Sequence, residues 1–167
     1  MNGLLKPLFS IKRNTYHYDI PIDIARSEIE GVFDESGSVF SSVDIYARFT
    51  GGYNFQMTSI SSAATHGTNY RSILYGQIEK DSEGKTVIST NIESALSFKI
   101  IFCTSLGLAL ICFVASIIQL SLEAVWYGLG FGIAGPLVTT KLAAISDAGI
   151  TERYEMFIDQ KLQKLAR

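Results

Sequence analysis

Two apolar runs joined through a single acidic residue constrain this chain more than anything else in it. Residues 98–145 read FKIIFCTSLGLALICFVASIIQLSLEAVWYGLGFGIAGPLVTTKLAAI, with Glu123 as the one acid. From Ile100 to Leu122 there are 23 residues without a charge and with one amide, Gln119. At about 1.5 Å per residue, a helix of that length extends roughly 35 Å, enough for the hydrocarbon core of a bilayer. Ala124 to Thr140 adds 17 uncharged residues, a span of roughly 25 Å that Leu142 to Ile145 lengthen if Lys141 snorkels toward the headgroups. A transmembrane helical hairpin is therefore expected over 98–145.

Both runs carry small residues at matched spacing. Ser105, Ala109, Cys112 and Ser116 mark one face of the first, and Gly128, Gly132, Gly135 and Thr139 mark one face of the second. Folded back about Leu122, the two sets pair as Ser116 with Gly128, Cys112 with Gly132, Ala109 with Gly135 and Ser105 with Thr139. Lipid tails are as apolar as leucine, so membrane helices associate through close backbone approach over such residues. Phe113, Trp126, Tyr127 and Phe131 are then expected to face lipid or a partner. Lys99 and Lys141 flank the hairpin while its turn has no basic residue, which places both termini in the cytoplasm by the positive-inside rule. Trp126 and Tyr127 are expected as interface anchors alongside these lysines. Pro136 removes a helix hydrogen bond and is expected to kink the second helix.

The remainder reads as an α+β module, so the expected fold is an α+β membrane protein with a small antiparallel β-meander and a short helix preceding the hairpin. Its domains are a cytoplasmic module over 1–97, the hairpin over 98–145, and an amphipathic helix over 146–167 that packs on the module. A strand is expected within residues 8–19, where Tyr16 and Tyr18 alternate around His17. Pro21 starts a helix whose apolar positions Ile22, Ala25, Ile29, Val32 and Phe33 recur at helical spacing, and residues 34–38 form a loop. Alternation of Val43, Ile45, Ala47 and Phe49, resumed by Tyr53, Phe55 and Met57, predicts a hairpin. A three-residue loop over Thr50 to Gly52 sets Phe49 opposite Tyr53, Ala47 opposite Phe55 and Ile45 opposite Met57. Residues 59–69 read as a polar connection. A second hairpin follows with a four-residue DSEG turn, setting Ile78 against Val87 and Ile73 against Ile92, so that both faces hold apolar residues. One face is expected to cover the short helix, leaving the other for the final helix, the membrane surface or a partner. In the last helix Ile150, Tyr154, Phe157, Ile158, Leu162 and Leu165 share a face and Thr151 stands where a cap is expected.

The stretch YRSILYGQIEKDSEGKTVISTNIESALSFKIIF, followed by a C-terminal helix with Phe157, Ile158 and Leu162, resembles a family of uncharacterised small bacterial membrane proteins. In that family a helix and an antiparallel β-meander precede a two-helix hairpin and a final helix. The resemblance implies the layout and a location in the bacterial inner membrane. It supplies no catalytic residue.

Chemistry is sparse. There is no phosphate-cradling glycine loop after a strand, no His-Glu-x-x-His, no paired CxxC and no GxSxG. A metal site would need both histidines, His17 and His66, with a carboxylate such as Asp19, and a surface or core role suits them better. The Tyr16–Asp19 cluster reads as a tyrosine-rich strand before it reads as the holder of a general base. Residues 1–98 carry a net charge of −3, which offers no footprint for nucleic acid. Cys103 and Cys112 lie nine residues apart inside one span, on roughly opposite helix faces, and cannot bridge. No metal, cofactor or catalytic residue is expected. The expected role is non-enzymatic: a protein held in the lipid bilayer whose cytoplasmic module binds a protein partner or a second copy of itself. The alternative is an oligomeric channel or transport component in which Gly130 or Gln119 lines a pore.

Overall fold

The structure, a computed structural model, describes residues 11–36, 45–59, 72–119 and 122–167. In chain order the elements are β1 (Lys12–Tyr18), α1 (Ile22–Ser36), β2 (Ile45–Gly51), β3 (Asn54–Ser59), β4 (Ile73–Lys80), β5 (Thr86–Glu93) and α2 (Leu96–Gln119), followed by the long helix α3 (Leu122–Leu165). The chain is thus α+β, with one five-stranded antiparallel sheet in the order β1-β5-β4-β3-β2. By contact it divides into two compact units: residues 94–145, and Ile11–Glu93 together with Ser146–Arg167. The first takes in residues 94–97, which the sequence reading assigned to the module.

In the second unit the sheet has one apolar and one polar face. Tyr18, Ile45, Phe55, Met57, Leu74, Ile78, Ile88 and Ile92 point inward and are at most 3% exposed. They pack against Ala25, Ile29, Val32 and Phe33 of α1 and against Ile150, Tyr154, Ile158 and Leu162 of α3. Both helices therefore cover the same face, whereas the sequence reading gave α1 one face and left the other to the final helix, the membrane surface or a partner. Its error was a strand register. The β4–β5 pairing is Leu74↔Ile92, Ile78↔Ile88 and Lys80↔Thr86, one residue away from the expected Ile78–Val87. A one-residue slip turns every side chain over. The cause is the turn: Asp81 N–H donates to Lys85 O at 2.8 Å and Gly84 N–H to Asp81 O at 2.9 Å, with Gly84 left-handed at φ +85°. This closes a three-residue loop in place of four.

The β2–β3 register is displaced by two residues, which preserves the faces but changes the partners. Phe49 lies opposite Phe55 and Ala47 opposite Met57, with a bulge between Phe49 and Gly51. The reversal falls on Gly52 and Tyr53, Gly52 adopting φ +55°. Tyr53 then reaches α1, its hydroxyl donating to Asp23 at 3.1 Å, and Arg26 lies over the Phe49 and Tyr53 rings at 5.5 and 5.4 Å. α1 also runs three residues further than the expected Phe33, to Ser36. The expected polar connection falls almost wholly on residues 60–71, which lie outside the described residues, as does His66.

α3 is one continuous helical run with π turns at Gly130–Ala134 and Glu155–Asp159. The sequence reading made two helices of it, the second capped by Thr151. Thr151 lies in mid-helix, its hydroxyl donating back to Asp147 O at 2.9 Å. The π turns have identifiable causes. The first ends two residues before Pro136, whose missing N–H interrupts the ordinary ladder. The second lies within the series Ile150, Tyr154, Ile158, Leu162, all 1% exposed or less. Spacing of exactly four drifts by about 40° per step in a helix of 3.6 residues per turn, and a wider turn returns the series to the sheet.

In the first unit α2 and the first part of α3 are antiparallel neighbours. Both are long and apolar enough to cross a membrane, and only 22% and 28% of their most apolar windows are buried. Ile117, Ile118 and Leu110 are 75%, 76% and 66% exposed. A smaller cluster of Ala95, Phe98, Phe102 and Ala143 is buried within this unit.

Candidate functional site

Among the described residues, no helix packs on the second face of the sheet. Strand registers align Arg13, Asn91, Tyr75, Gln56 and Arg48 in one row across all five strands. With strands about 4.8 Å apart, this row is roughly 19 Å long and has an arginine on each edge strand. Thr15, Ser89, Gln77 and Asn54 form the next row. Arg13, Thr15, Tyr75, Gln77, Tyr46 and Arg48 are exposed. Tyr46, Arg48, Gln56, Met57, Thr58 and Ile73 line a hollow of about 200 Å³. Alternation within β2 already separated Tyr46 and Arg48 from Ala47 and Phe49. The row itself depends on cross-strand registers, so no single strand announces it.

On the apolar side two polar groups are pinned at depth. Asp147, 1% exposed, accepts from Ser72 Oγ at 2.6 Å and pairs with Lys12 Nζ at 3.3 Å, while the Ser72 N–H donates to Ser146 Oγ at 3.1 Å. These contacts fasten β1, the start of β4 and α3 together. Removing a partner from a buried pair leaves an uncompensated charge, which costs about 3–5 kcal/mol at full burial. The Lys12 side chain is 42% exposed, so Lys12→Met is expected to cost less, about 1–3 kcal/mol, read from urea unfolding of the reconstituted protein.

Tyr18 donates to Asp159 Oδ1 at 2.7 Å and lies 3.5 Å from the Tyr154 hydroxyl, and the Tyr16 ring packs on Tyr154 with centroids 4.8 Å apart. Burial holds the Tyr18 phenol far above its ordinary range, reinforced by Tyr154 and by the Asp159 carboxylate. Burial likewise raises Tyr16, with Glu155 adding to it. A folded-state pKa above the unfolded value of about 10 means that the unfolded chain loses its proton first as pH rises. The stabilisation is complete below about pH 10 and is lost above it, by about 1.4 kcal/mol per pH unit for Tyr18 alone. Urea midpoints taken between pH 8 and 11 are expected to fall, and to fall less steeply for Tyr18→Phe. His17 points to the opposite face from Tyr16 and Tyr18 and is exposed. Among the described residues there is no group of three or more His, Cys, Asp or Glu side chains that could hold a metal ion.

In the hairpin unit the two small-residue faces meet. A methyl built on Gly128 would lie 3.4 Å from Ala109 O and Cys112 Cβ, and one on Gly132 would lie 3.3 Å from Ala109 Cβ. One on Gly135 would overlap the Ser105 hydroxyl, which itself donates to Phe131 O. The facing pairs are therefore Cys112 with Gly128, Ala109 with Gly132 and Ser105 with Gly135, one turn away from those expected. Ser116 donates to Phe113 O at 2.7 Å and Thr139 to Gly135 O at 2.8 Å, each satisfied within its own helix. Trp126 and Tyr127 are 73% and 65% exposed, Lys141 is exposed and Lys99 is half-buried. An apolar groove of about 510 Å³ runs past Ile101, Trp126, Tyr127, Gly130, Phe131 and Val138.

Fold and surfaces together define an α+β module joined to a two-helix apolar hairpin. Compared with protein-family profiles, with curated proteins and with solved structures, the chain matches none.

Proposed function

We propose that this chain is a non-enzymatic, membrane-anchored interaction protein. Its hairpin lies in the bacterial inner membrane, both termini are cytoplasmic, and the uncovered sheet face receives a protein partner or a second copy. The layout accords with the resemblance to small bacterial membrane proteins. The observation that carries this reading is the one-sided sheet: two helices fill its apolar face, while the row from Arg13 to Arg48 stands open. Exposed apolar side chains along α2 and α3 support the anchor, because a core helix of a soluble protein would have most of them covered. Lys99 and Lys141 support the orientation.

Two measurements test this. Single cysteines introduced as Ser82→Cys or Glu123→Cys, in a background carrying Cys103→Ser and Cys112→Ser, are challenged with an impermeant thiol reagent in intact cells. Labelling at 123 and protection at 82 is the expected result; the reverse puts the module outside. Native mass spectrometry and pull-down in mild detergent are expected to show a complex. A monomer without any partner would defeat the proposal. A pore is the lesser reading, since no charged side chain lies between Ile100 and Leu122, where conduction pathways usually place one.

A further inference from the structure

Arg48 is the one member of the outer row whose guanidinium is already held in place. With the Gln56 amide turned so that its oxygen faces the guanidinium, that oxygen accepts from Arg48 Nε at 2.7 Å and from Nη2 at 2.9 Å. A guanidinium has five N–H donors in a planar fork. Gln56 occupies the Nε edge, which leaves the outer edge, formed by the two terminal nitrogens, directed away from Gln56. That edge matches a carboxylate in bidentate geometry. Among the described residues Arg48 has no acidic partner. The amide fixes the fork without neutralising it.

Beside this fork lies the hollow of about 200 Å³, bordered by Tyr46, Thr58 and Ile73. Its walls are mainly apolar, and Tyr46 is 53% exposed with its ring available as a wall. Charge and apolar volume thus sit side by side. An acidic side chain within a peptide brings a carboxylate on a short methylene stem and little else. A chain terminus brings a carboxylate and, on the same residue, a side chain that can enter the hollow. We propose that the Arg48 hollow captures the free C-terminal carboxylate of a protein partner whose last side chain is apolar. This rests on the interaction role proposed above and names the chemistry of the partner.

The test uses the full chain in lipid nanodiscs and the tripeptide acetyl-Ala-Ala-Leu with a free carboxyl end. Saturable binding by calorimetry is expected, at least tenfold weaker for the same peptide ending in an amide and for acetyl-Ala-Glu-Ala amide. Arg48→Lys keeps the charge but loses the fork, and is expected to weaken binding at least tenfold with an unchanged melting temperature. Lys164→Gln, an exposed basic residue near the end of α3 and outside this face, should leave binding as it was. No saturable binding of the acid, equal binding of the terminal amide, or wild-type binding by Arg48→Lys each overturns the site. Equal binding of the internal glutamate peptide overturns the choice of a chain terminus. If the acid peptide fails while the wild-type chain still forms its complex in detergent, the carboxylate site falls and the interaction role stands. If the wild-type chain associates with nothing, the interaction role itself falls.

Discussion

Phe55→Ala is expected to destabilise the sheet unit by about 3–5 kcal/mol, a large part of the roughly 5–15 kcal/mol that holds a domain folded. Phe55 is 1% exposed and is a hub of ring contacts: Phe33 at 5.7 Å, Phe49 at 6.0 Å, and Tyr154 stacked at 6.5 Å with an interplanar angle of 1°. It joins α1, β2 and α3 in one cluster. Its ring lies flat over β4 because the residue opposite is Gly76, where any Cβ would run into the ring. Gly76→Val is therefore expected to cost about as much from the other side, through overpacking and displacement of the ring. Urea unfolding of the reconstituted protein, followed by near-ultraviolet circular dichroism, measures both. A loss below about 1 kcal/mol for either would show that the cluster re-forms around the change. Gly76→Ala in the Phe55→Leu background should be milder than in the wild type, since the obstructing ring is gone.

The second large effect concerns the hairpin. With the native cysteines replaced by serine, Ala109→Cys combined with Gly132→Cys is expected to crosslink almost completely under mild oxidation. A Cβ at Gly132 would lie 3.3 Å from that of Ala109, close to the separation a disulfide needs. The alternative register predicts instead that Cys112 with Gly132→Cys crosslinks. Gly135→Leu added to the 109–132 pair should reduce crosslinking about tenfold, because the side chain would displace Ser105 and its hydrogen bond to Phe131 O. Overpacking of this kind costs about 1–3 kcal/mol. Non-reducing gels read all three variants. Undiminished crosslinking in Gly135→Leu would show that the helices separate there without resistance.

Much of this architecture is legible in the residues because it rests on periodicity. Helical spacing of Ala25, Ile29, Val32 and Phe33 located α1, and strict alternation located β2 and β3. The length and apolarity of the two runs marked them as candidate spans. Register was harder to read. In β4–β5 the alternation is compatible with either pairing, and the decision lies with Gly84, whose left-handed conformation shortens the loop by one residue. That slip turned Leu74, Ile78, Ile88 and Ile92 into a face shared among strands and revealed the other face as polar. The junction at 145–146 was legible as a change in composition, yet not as a continuous helix. Ser146 and Asp147 look like the start of a new element, but their side chains bind Ser72. The strict four-residue spacing from Ile150 to Leu162 was the available sign of a π turn. The Arg48 fork gave no sign in sequence, because Gln56 stands eight positions away and meets it only through the β2–β3 pairing.

The sheet unit is assembled from two stretches of chain with the hairpin inserted between them. A ribosome that has just finished β5 has made every strand but not Ile150, Tyr154, Ile158 or Leu162, which pack on the apolar face. At about 5–20 residues per second, the 74 residues from Ser94 to Arg167 take roughly 4–15 s to synthesise. During that interval the strands wait with a greasy surface uncovered while the two apolar helices emerge. Completion of the module thus reports that translation has passed through the hairpin. A nascent chain stalled there would present to chaperones and proteases the surface that the finished protein conceals.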